Sequence, residues 1–140
     1  MTKIQFFSTN SFRFPHKRKA RELILFIFKN EKKTFLHLNF IFCSDEELLV
    51  LNRKHLDHND YTDILTFDLS VNNHEIISEI YISTDRVCEN AFIFNVPFLQ
   101  ELFRVIIHGS LHLCGYGDKK KSEILVMRQK EARYLRFIEK

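Results

Sequence analysis

Hydrophobic and polar positions alternate along the first third of the chain in a way that predicts two strands around one helix. Residues 4–7 and 35–43 are rich in β-branched and aromatic side chains, which favour strands. Between them, residues 15–29 carry hydrophobic side chains three and four positions apart, which is the period of an amphipathic helix. We expect the buried face of this helix to carry Ala20, Leu23, Ile24, Ile27 and Phe28.

The middle of the chain predicts a second helix followed by a pair of strands. Ser44 and the three acidic residues after it are typical of a helix start, because a serine hydroxyl caps free N–H groups and acidic side chains oppose the positive end of the helix dipole. A polar loop over residues 56–62 follows. Strands are predicted at 64–69 and 79–83, and their connection over 71–78 fits a hairpin.

The last third of the chain predicts three helices, at residues 84–95, 97–113 and 119–138. A turn that contains two glycines separates the last two of them. Four strands interspersed with five helices predict one layered domain over residues 1–140, of the α+β or the α/β class.

The composition is that of a folded, mildly basic chain. Its 140 residues are 45% hydrophobic and 28% charged, with a net charge of +3, which excludes disorder and is compatible with a nucleic-acid partner without requiring one. The three cysteines form no C-x-x-C pair, so no disulfide framework is predicted. With no apolar run of about 18 residues and a polar N-terminus, we expect a cytoplasmic protein without a membrane partner.

Two histidines in the fourth predicted helix carry the candidate chemistry. His108 and His112 are four residues apart, so a helix places both imidazoles on one face, where they can bind one metal ion. The helix stops at Gly115, and the chain then delivers Asp118, whose carboxylate could complete a three-ligand site with a fourth position for water, the arrangement of catalytic zinc sites. Two alternatives stay open: a solvated polar face for the two histidines, and a capping role at the last helix for Asp118.

Other hydrolytic sites are disfavoured around these histidines. The zinc proteases of the H-E-x-x-H type use a glutamate after the first histidine, and that position here is Gly109. Ser110 is two residues from His108 on the helix and therefore faces another direction, so a Ser–His nucleophile pair is not expected. Cys114, two residues past His112, is interpreted as buried packing.

The segment 108–116, HGSLHLCGY, with Asp118 beyond it, resembles the signature H-G-x-L-H-L-x-G-Y-D-H of the YbeY family of bacterial endoribonucleases. Asn52 and the segment TDILTF at residues 62–67 are similar to the N…T-D-V-L-S-F block of that family, and EIYIS at 79–83 is similar to its G-D-I-x-I-S segment. The resemblance spans about two thirds of the chain.

The resemblance implies an α+β fold with a mixed sheet of about four strands, about five helices and a metal site in a cleft. It implies cleavage of single-stranded RNA, a role in 16S rRNA 3′-end maturation and ribosome quality control, and partners among the ribosome and ribosome-associated proteins. The implied metal ligands are His108, His112 and Asp118, with Zn²⁺ as the metal. The family's third histidine is an aspartate here, and its harder oxygen could admit another divalent ion.

Three further features modify this expectation. Gly117 stands where the family usually has an aspartate, and Leu56 stands where it commonly has a loop arginine. Arg104, one turn before His108, is the candidate for stabilising the phosphate, with an ion pair to Glu101 as the alternative. The candidate RNA-binding residues are Lys119, Lys120 and Lys121.

Two other functions remain open at this point. One is a non-catalytic ribosome-binding or RNA-binding protein with a structural metal site, which would fill the fourth coordination position with a protein group. The other is a metal-dependent hydrolase of another substrate, including a peptidase, which would need a glutamate brought to the metal from elsewhere in the fold.

Overall fold

A computed structural model describes residues 2–56, 62–72 and 75–138 of the chain. Within those ranges, strands and helices follow one another in an order close to that expected from the sequence. The elements are β1 (Lys3–Ser8), α1 (Lys17–Asn30), β2 (Phe35–Cys43), α2 (Asp45–Leu56), β3 (Ile64–Asp68), β4 (Ile76–Ser83), α3 (Thr84–Phe94), α4 (Phe98–Leu113) and α5 (Lys121–Ile138).

The four strands form one mixed sheet in the order β1-β2-β4-β3. Strands β1, β2 and β4 are parallel, and β3 runs antiparallel to β4 at the edge of the sheet. The parallel pairs need crossover connections, which α1 supplies between β1 and β2, while α2 and β3 together separate β2 from β4. The four-stranded mixed sheet and the five helices found in the described ranges confirm the expected α+β class.

The two faces of the sheet are covered differently. Phe40 and Phe42 point into the main core, which is closed by α1 and α4. Cys43, one residue further along β2, points to the opposite face and packs with Leu48 of α2 and Leu65 of β3 in a smaller cluster. This split follows from the two-residue period of a strand, and it places the larger helical layer on one face of the sheet.

Helix α4 is the central helix of that layer, and one glycine sets its distance from the sheet. A Cβ atom built on Gly109 would lie 2.7 Å from Cδ1 of Ile64, so only a glycine allows α4 to approach the edge strand β3 this closely without a shift. The buried side chains of α4 include Leu102, Val105, Ile106, Ile107 and Leu111.

Several boundaries differ from the expected ones. Strand β4 begins at Ile76 rather than residue 79, because Ile76 and Ile77 pair with β2. From Ser78 onwards β3 pairs as well, and the Ser78 hydroxyl donates to the Phe67 carbonyl within the sheet. Helices α1 and α5 each begin two residues later than expected. The expected polar loop at 56–62 lies mostly outside the described residues.

Taken singly, none of the helices in the described ranges has the length and hydropathy of a membrane span. Helices α3 and α4 meet both criteria only as a pair, and that pair is bent by 116°.

Candidate active site

The three predicted metal ligands line one cleft between α4, β3 and the turn before α5. His108 and His112 come from the C-terminal half of α4. The chain turns at Gly115, whose φ of +108° is a conformation that favours glycine, and brings Asp118 to the same cleft. The cleft has a volume of about 410 Å³, and residues of β3 form its opposite wall.

His108 is held by a carboxylate at each ring nitrogen. Its Nδ1 lies 2.7 Å from Oε2 of Glu131, and its Nε2 lies 3.1 Å from Oδ2 of Asp118. Because an ionised carboxylate only accepts hydrogen bonds, the Glu131 contact keeps the proton on Nδ1 and directs Nε2 towards Asp118. A carboxylate behind the imidazole is the arrangement that orients histidine ligands in metal sites.

His112 has a similar orienting contact from the main chain. Its Nδ1 lies 3.2 Å from the carbonyl oxygen of Tyr116, to which a protonated Nδ1 donates. The other ring nitrogen, Nε2, is then the one available to a ligand. His112 lies at the exposed end of α4, so its Nε2 is accessible from the cleft.

The electrostatics of His108 favour a positive charge at this position. Burial by itself lowers the pKa of His108, but the hydrogen bond and charge of Glu131, together with Asp118 and Asp63, outweigh it and raise the pKa above its ordinary value. A proton or a metal cation on Nε2 satisfies the same surroundings.

The three side chains are therefore of the chemical type that binds a divalent cation, although they are not arranged around one point as metal ligands would be. Two imidazole nitrogens and one carboxylate oxygen are accepted ligands of Zn²⁺, and both imidazoles have a partner behind them. Among the described residues, no group of three His, Cys, Asp or Glu side chains is arranged to hold a metal ion. The metal site thus stays a prediction.

The geometry at the start of α5 bears on the alternative role of Asp118. The amides of Lys119 and Lys120 donate to Oε1 of Glu123, at 3.2 and 2.9 Å, so Glu123 caps this helix. In the described part of the chain, Asp118 makes no hydrogen bond to a backbone N–H of the helix start, and its carboxylate contacts His108 instead. The contacts favour the role next to His108 over the capping alternative.

The same glutamate lies against the glycine that replaces the family's aspartate. A Cβ atom on Gly117 would lie 2.6 Å from Oε2 of Glu123. The capping carboxylate of this chain thus occupies the space that a side chain at position 117 would need.

Arg104 is engaged by carboxylates from three parts of the chain. Its guanidinium contacts Glu101 at 2.7 and 2.9 Å, Glu131 at 3.1 Å and Asp63 at 3.5 Å. The ion pair with Glu101, which the sequence analysis left open as the alternative, is therefore present. The role of Arg104 in phosphate stabilisation stays a prediction, and its donors already have carboxylate partners.

Burial shapes the ionisation of this cluster. Burial by itself lowers the pKa of Arg104, but Glu101 and Glu131 outweigh it and hold the pKa above its ordinary value. Burial also raises the pKa of Asp63, and the charges of Arg104 and His108 only partly oppose it. Arg104 is thus the permanent positive charge that keeps carboxylates close to His108.

The other candidates fall into three groups. Lys119, Lys120 and Lys121 are exposed, and Lys119 lines the cleft. Ser110 is fully buried, and its hydroxyl donates to the carbonyl oxygen of Ile106, away from the histidines. Cys114 is buried, and burial raises the pKa of its thiol to about 12. The side chain of Leu56 is not among the described ones.

Two residues of this site are not predicted from the sequence: Glu131, which orients His108, and Asp63, which contacts Arg104. A signal for Glu131 exists: it lies between Met127 and Tyr134 on the buried face of α5, at helical spacing, and a glutamate on such a face needs a partner. No local signal names that partner, because His108 lies 23 residues away in sequence.

Comparisons with known proteins place the chain in a family. The family model described as Endoribonuclease YbeY matches residues 5–139. Curated proteins named Endoribonuclease YbeY are 52% identical over 105 residues in Cytophaga hutchinsonii, covering 75% of this chain and 73% of the relative, and 45% identical over 128 residues in Christiangramia forsetii, covering 91% and 89%.

The fold has a solved counterpart. The solution structure of TM1509 from Thermotoga maritima superimposes with a TM-score of 0.66 at 32% sequence identity, covering 94% of this chain and 86% of the other. The mixed sheet covered by helices thus has a counterpart of known structure, and the chain is an α+β protein of that class. The chain belongs to the YbeY endoribonuclease family, which confirms the resemblance seen in the sequence.

Proposed function

We propose that this chain is a metal-dependent endoribonuclease that cleaves single-stranded RNA, with a role in 16S rRNA 3′-end maturation and in ribosome quality control. Membership of an endoribonuclease family supports the general statement that the chain is an RNA-cleaving hydrolase that acts in rRNA processing. The observation that carries metal dependence is one cleft lined by His108, His112 and Asp118, with His108 oriented by Glu131. The proposed roles in 16S rRNA maturation and ribosome quality control rest on the family resemblance.

His108, His112 and Asp118 would hold the metal, which we propose to be Zn²⁺, with another divalent ion as a possibility that the aspartate oxygen opens. When bound, such an ion supplies a Lewis acid for a phosphate oxygen of the RNA. The chain's own residues prepare the site. Glu131 holds the proton at Nδ1 of His108, and the Tyr116 carbonyl does the same at Nδ1 of His112.

The exposed lysines at residues 119–121 would attract the RNA strand to the mouth of the cleft. Lys119 lines the cleft beside Asp118, and a lysine ammonium contributes to RNA affinity mainly through its charge. The proposed setting is the cytoplasm, with the ribosome or ribosome-associated proteins as partners.

The two rival functions have less support. A peptidase of the H-E-x-x-H kind needs a glutamate near the metal, and Glu131 instead contacts Nδ1 of His108, the nitrogen on the opposite side of the ring from Asp118. A purely structural metal needs a fourth protein ligand, whereas the three candidate residues face a cleft of about 410 Å³. Both observations favour a site that is open to substrate.

The activity is tested by cleavage of one end-labelled RNA, supplied single-stranded and as a duplex. We expect the zinc-loaded protein to cut the single strand, to spare the duplex, and to lose activity with a chelator and in His112→Ala. The matched control is His37→Ala, since His37 lies on β2 and contacts Gln5 rather than the cleft. Inactivity of the folded, zinc-loaded wild type would overturn the proposal, and a 2′,3′-cyclic phosphate end would assign attack to the ribose rather than to water.

The role of the lysines has its own measurement. Replacing Lys119, Lys120 and Lys121 by glutamine should weaken RNA binding, and the slope of log affinity against log salt should fall by about two to three. The control removes three exposed lysines that line no part of the cleft: Lys3, Lys17 and Lys19. An unchanged slope in the first variant would contradict a role of these lysines in RNA binding.

A further inference from the structure

A second cluster of polar side chains lies behind the turn that carries Asp118. We call it the Glu31 cluster; it consists of Glu31, Tyr116, Lys130 and Tyr134. Glu31 follows the last residue of α1, Tyr116 lies in the turn between α4 and α5, and the other two lie on α5. The cluster thus joins the end of the first helix to a turn that is 85 residues away in sequence.

Both carboxylate oxygens of Glu31 are saturated. Oε1 accepts from the Tyr116 hydroxyl at 2.6 Å and from Lys130 Nζ at 3.2 Å. Oε2 accepts from Lys130 Nζ at 3.0 Å and from the Tyr134 hydroxyl. The side chain of Glu31 is only 8% exposed, so these contacts replace water almost completely.

Tyr116 is fixed at two points of its side chain. Its hydroxyl donates to Glu31, and Nζ of Lys130 lies 4.8 Å from its ring centroid, within the range of a cation–π contact. The ammonium therefore covers one face of the ring, and Glu31 and Lys130 together hold the Tyr116 side chain.

The backbone of Tyr116 connects this cluster to the candidate metal ligands. Its carbonyl oxygen lies 3.2 Å from Nδ1 of His112, and its N–H donates to the carbonyl oxygen of Leu111 at 3.1 Å. The residue before it is Gly115, which imposes little conformational preference of its own. Main-chain hydrogen bonds of Gly115 and Tyr116 to the His112 and Leu111 carbonyls close the end of α4. The contact of the Tyr116 side chain with Glu31 is the second anchor that fixes the Tyr116 carbonyl.

We propose that Glu31 is a positioning residue for His112, acting through Tyr116. This inference rests on the proposed function, in which His112 is a metal ligand. Glu31 lines no part of the cleft, so it does not touch substrate or metal. Glu31 holds the turn through Tyr116, whose hydroxyl donates to Glu31 and whose main-chain carbonyl contacts Nδ1 of His112. His112 then presents Nε2 to the cleft.

The test is the zinc dissociation constant, measured by competition with a chromophoric chelator, for wild type, Glu31→Gln, Tyr116→Phe and the double variant. Removing an outer partner of a histidine ligand weakens metal binding by about 10-fold to 100-fold, and this contact is one residue further out, so we expect about threefold to tenfold in each single variant. The double variant should bind zinc no more weakly than the weaker-binding single variant, because both substitutions interrupt the same contact between Glu31 and Tyr116.

The control is Asn30→Ala. Asn30 donates to the Tyr134 hydroxyl at 2.8 Å, so its loss disturbs the same cluster without touching Tyr116. We expect it to lower the free energy of unfolding while leaving the zinc dissociation constant within twofold of wild type. The visible spectrum of the Co²⁺-loaded protein supplies a second readout, since a reoriented imidazole shifts the bands in Glu31→Gln and not in Asn30→Ala.

The outcomes separate this inference from the function on which it rests. Wild-type zinc affinity and an unshifted cobalt spectrum in Glu31→Gln would overturn the role of Glu31 while leaving the metal site intact. Equal losses in Asn30→Ala and Glu31→Gln would reduce that role to general stability. A wild type that binds neither ion would overturn the proposed function itself.

Discussion

Arg104 and its carboxylates show how much one residue contributes to this site. The side chains of Glu101 and Glu131 are 2% and 6% exposed, and a buried carboxylate is costly unless a positive charge stays close to it. Arg104 contacts both and also reaches Asp63. Arg104 therefore stabilises the folded state first, and any contribution to RNA cleavage is additional to that stabilisation.

We predict that Arg104→Ala lowers the free energy of unfolding by about 2 to 4 kcal/mol, because it leaves buried Glu101 without its counter-ion and leaves Glu131 with His108 as its remaining charged partner. Arg18→Ala is the matched control, since Arg18 pairs with Glu22 on the exposed face of α1 and should cost under about 1 kcal/mol. Denaturant unfolding of both variants checks this. Equal losses would contradict a structural role of Arg104.

At the residue scale, the sequence predicts groups that act within one helical turn and misses groups that come from elsewhere. The spacing of His108 and His112 was sufficient to place both on one face of α4 and in one cleft. The Arg104–Glu101 pair was foreseen for the same reason, since three residues separate them. Glu131 was not, because its contact to His108 depends on how α5 packs against α4.

At the scale of elements, the close contact between α4 and β3 defines the cleft. Gly109 faces Ile64 at a distance that leaves no room for a methyl group. A sequence reading identifies this glycine as unfavourable in a helix by about 1 kcal/mol relative to alanine, but not the reason for it. The reason is a tertiary one, since a Cβ at this position would displace the end of the Ile64 side chain on the edge strand.

We predict an energetic coupling between these two positions. In wild type, the methyl group of Gly109→Ala must displace Cδ1 of Ile64, which offsets the gain in helix propensity. Ile64→Val removes that atom, so Gly109→Ala should be more favourable in the Ile64→Val background by about 1 kcal/mol. Denaturant unfolding of the two single variants and the double variant measures the coupling.

The control for this cycle pairs Gly109→Ala with Ile76→Val. Ile76 is the first residue of β4, and none of its atoms is among those nearest to a Cβ on Gly109. The changes in free energy of unfolding caused by these two substitutions should therefore add. Additive free energies in the Ile64 cycle as well would show that the helix adjusts without contacting β3.

The expected elements agree with the observed ones wherever local pattern decides. The five hydrophobic positions predicted for one face of α1 are all buried, and Ser44 does cap α2, with its hydroxyl accepting from the Glu47 amide at 3.1 Å. The pattern of hydrophobic and polar residues does not predict where an element begins or ends. Strand β4 extends to Ile76 because β2 pairs with its first residues, which no local signal shows.

At the scale of the whole molecule, Glu31 ties the N-terminal part of the chain to its C-terminal helix. Burial by itself would raise the pKa of Glu31, but the hydroxyls of Tyr116 and Tyr134 and the ammonium of Lys130 outweigh it and lower the pKa below its ordinary value. The ionised carboxylate therefore favours the folded state over the unfolded one. The sequence alone did not indicate this contact, because it joins residues about 100 positions apart.

This sets the sign of a pH dependence. The stabilisation by Glu31 is fully present above the unfolded-state pKa, near 4.5, and is lost as the pH falls through the lower folded-state pKa. The difference in free energy of unfolding between wild type and Glu31→Gln should thus be large at pH 7 and shrink at pH 3. Denaturant unfolding at both values checks this, with Glu22→Gln on the exposed face of α1 as control. A difference independent of pH would contradict the ionised contact.

The central claim is that His108, His112 and Asp118 form one metal site on which RNA cleavage depends. It is tested most directly by elemental analysis of the purified wild type, His108→Ala and Asp118→Ala, with cleavage of single-stranded RNA assayed on the same samples. We predict close to one zinc per chain in the wild type, and loss of both zinc and cleavage in both variants. Zinc retained by Asp118→Ala, or a folded wild type with neither metal nor cleavage, would contradict it.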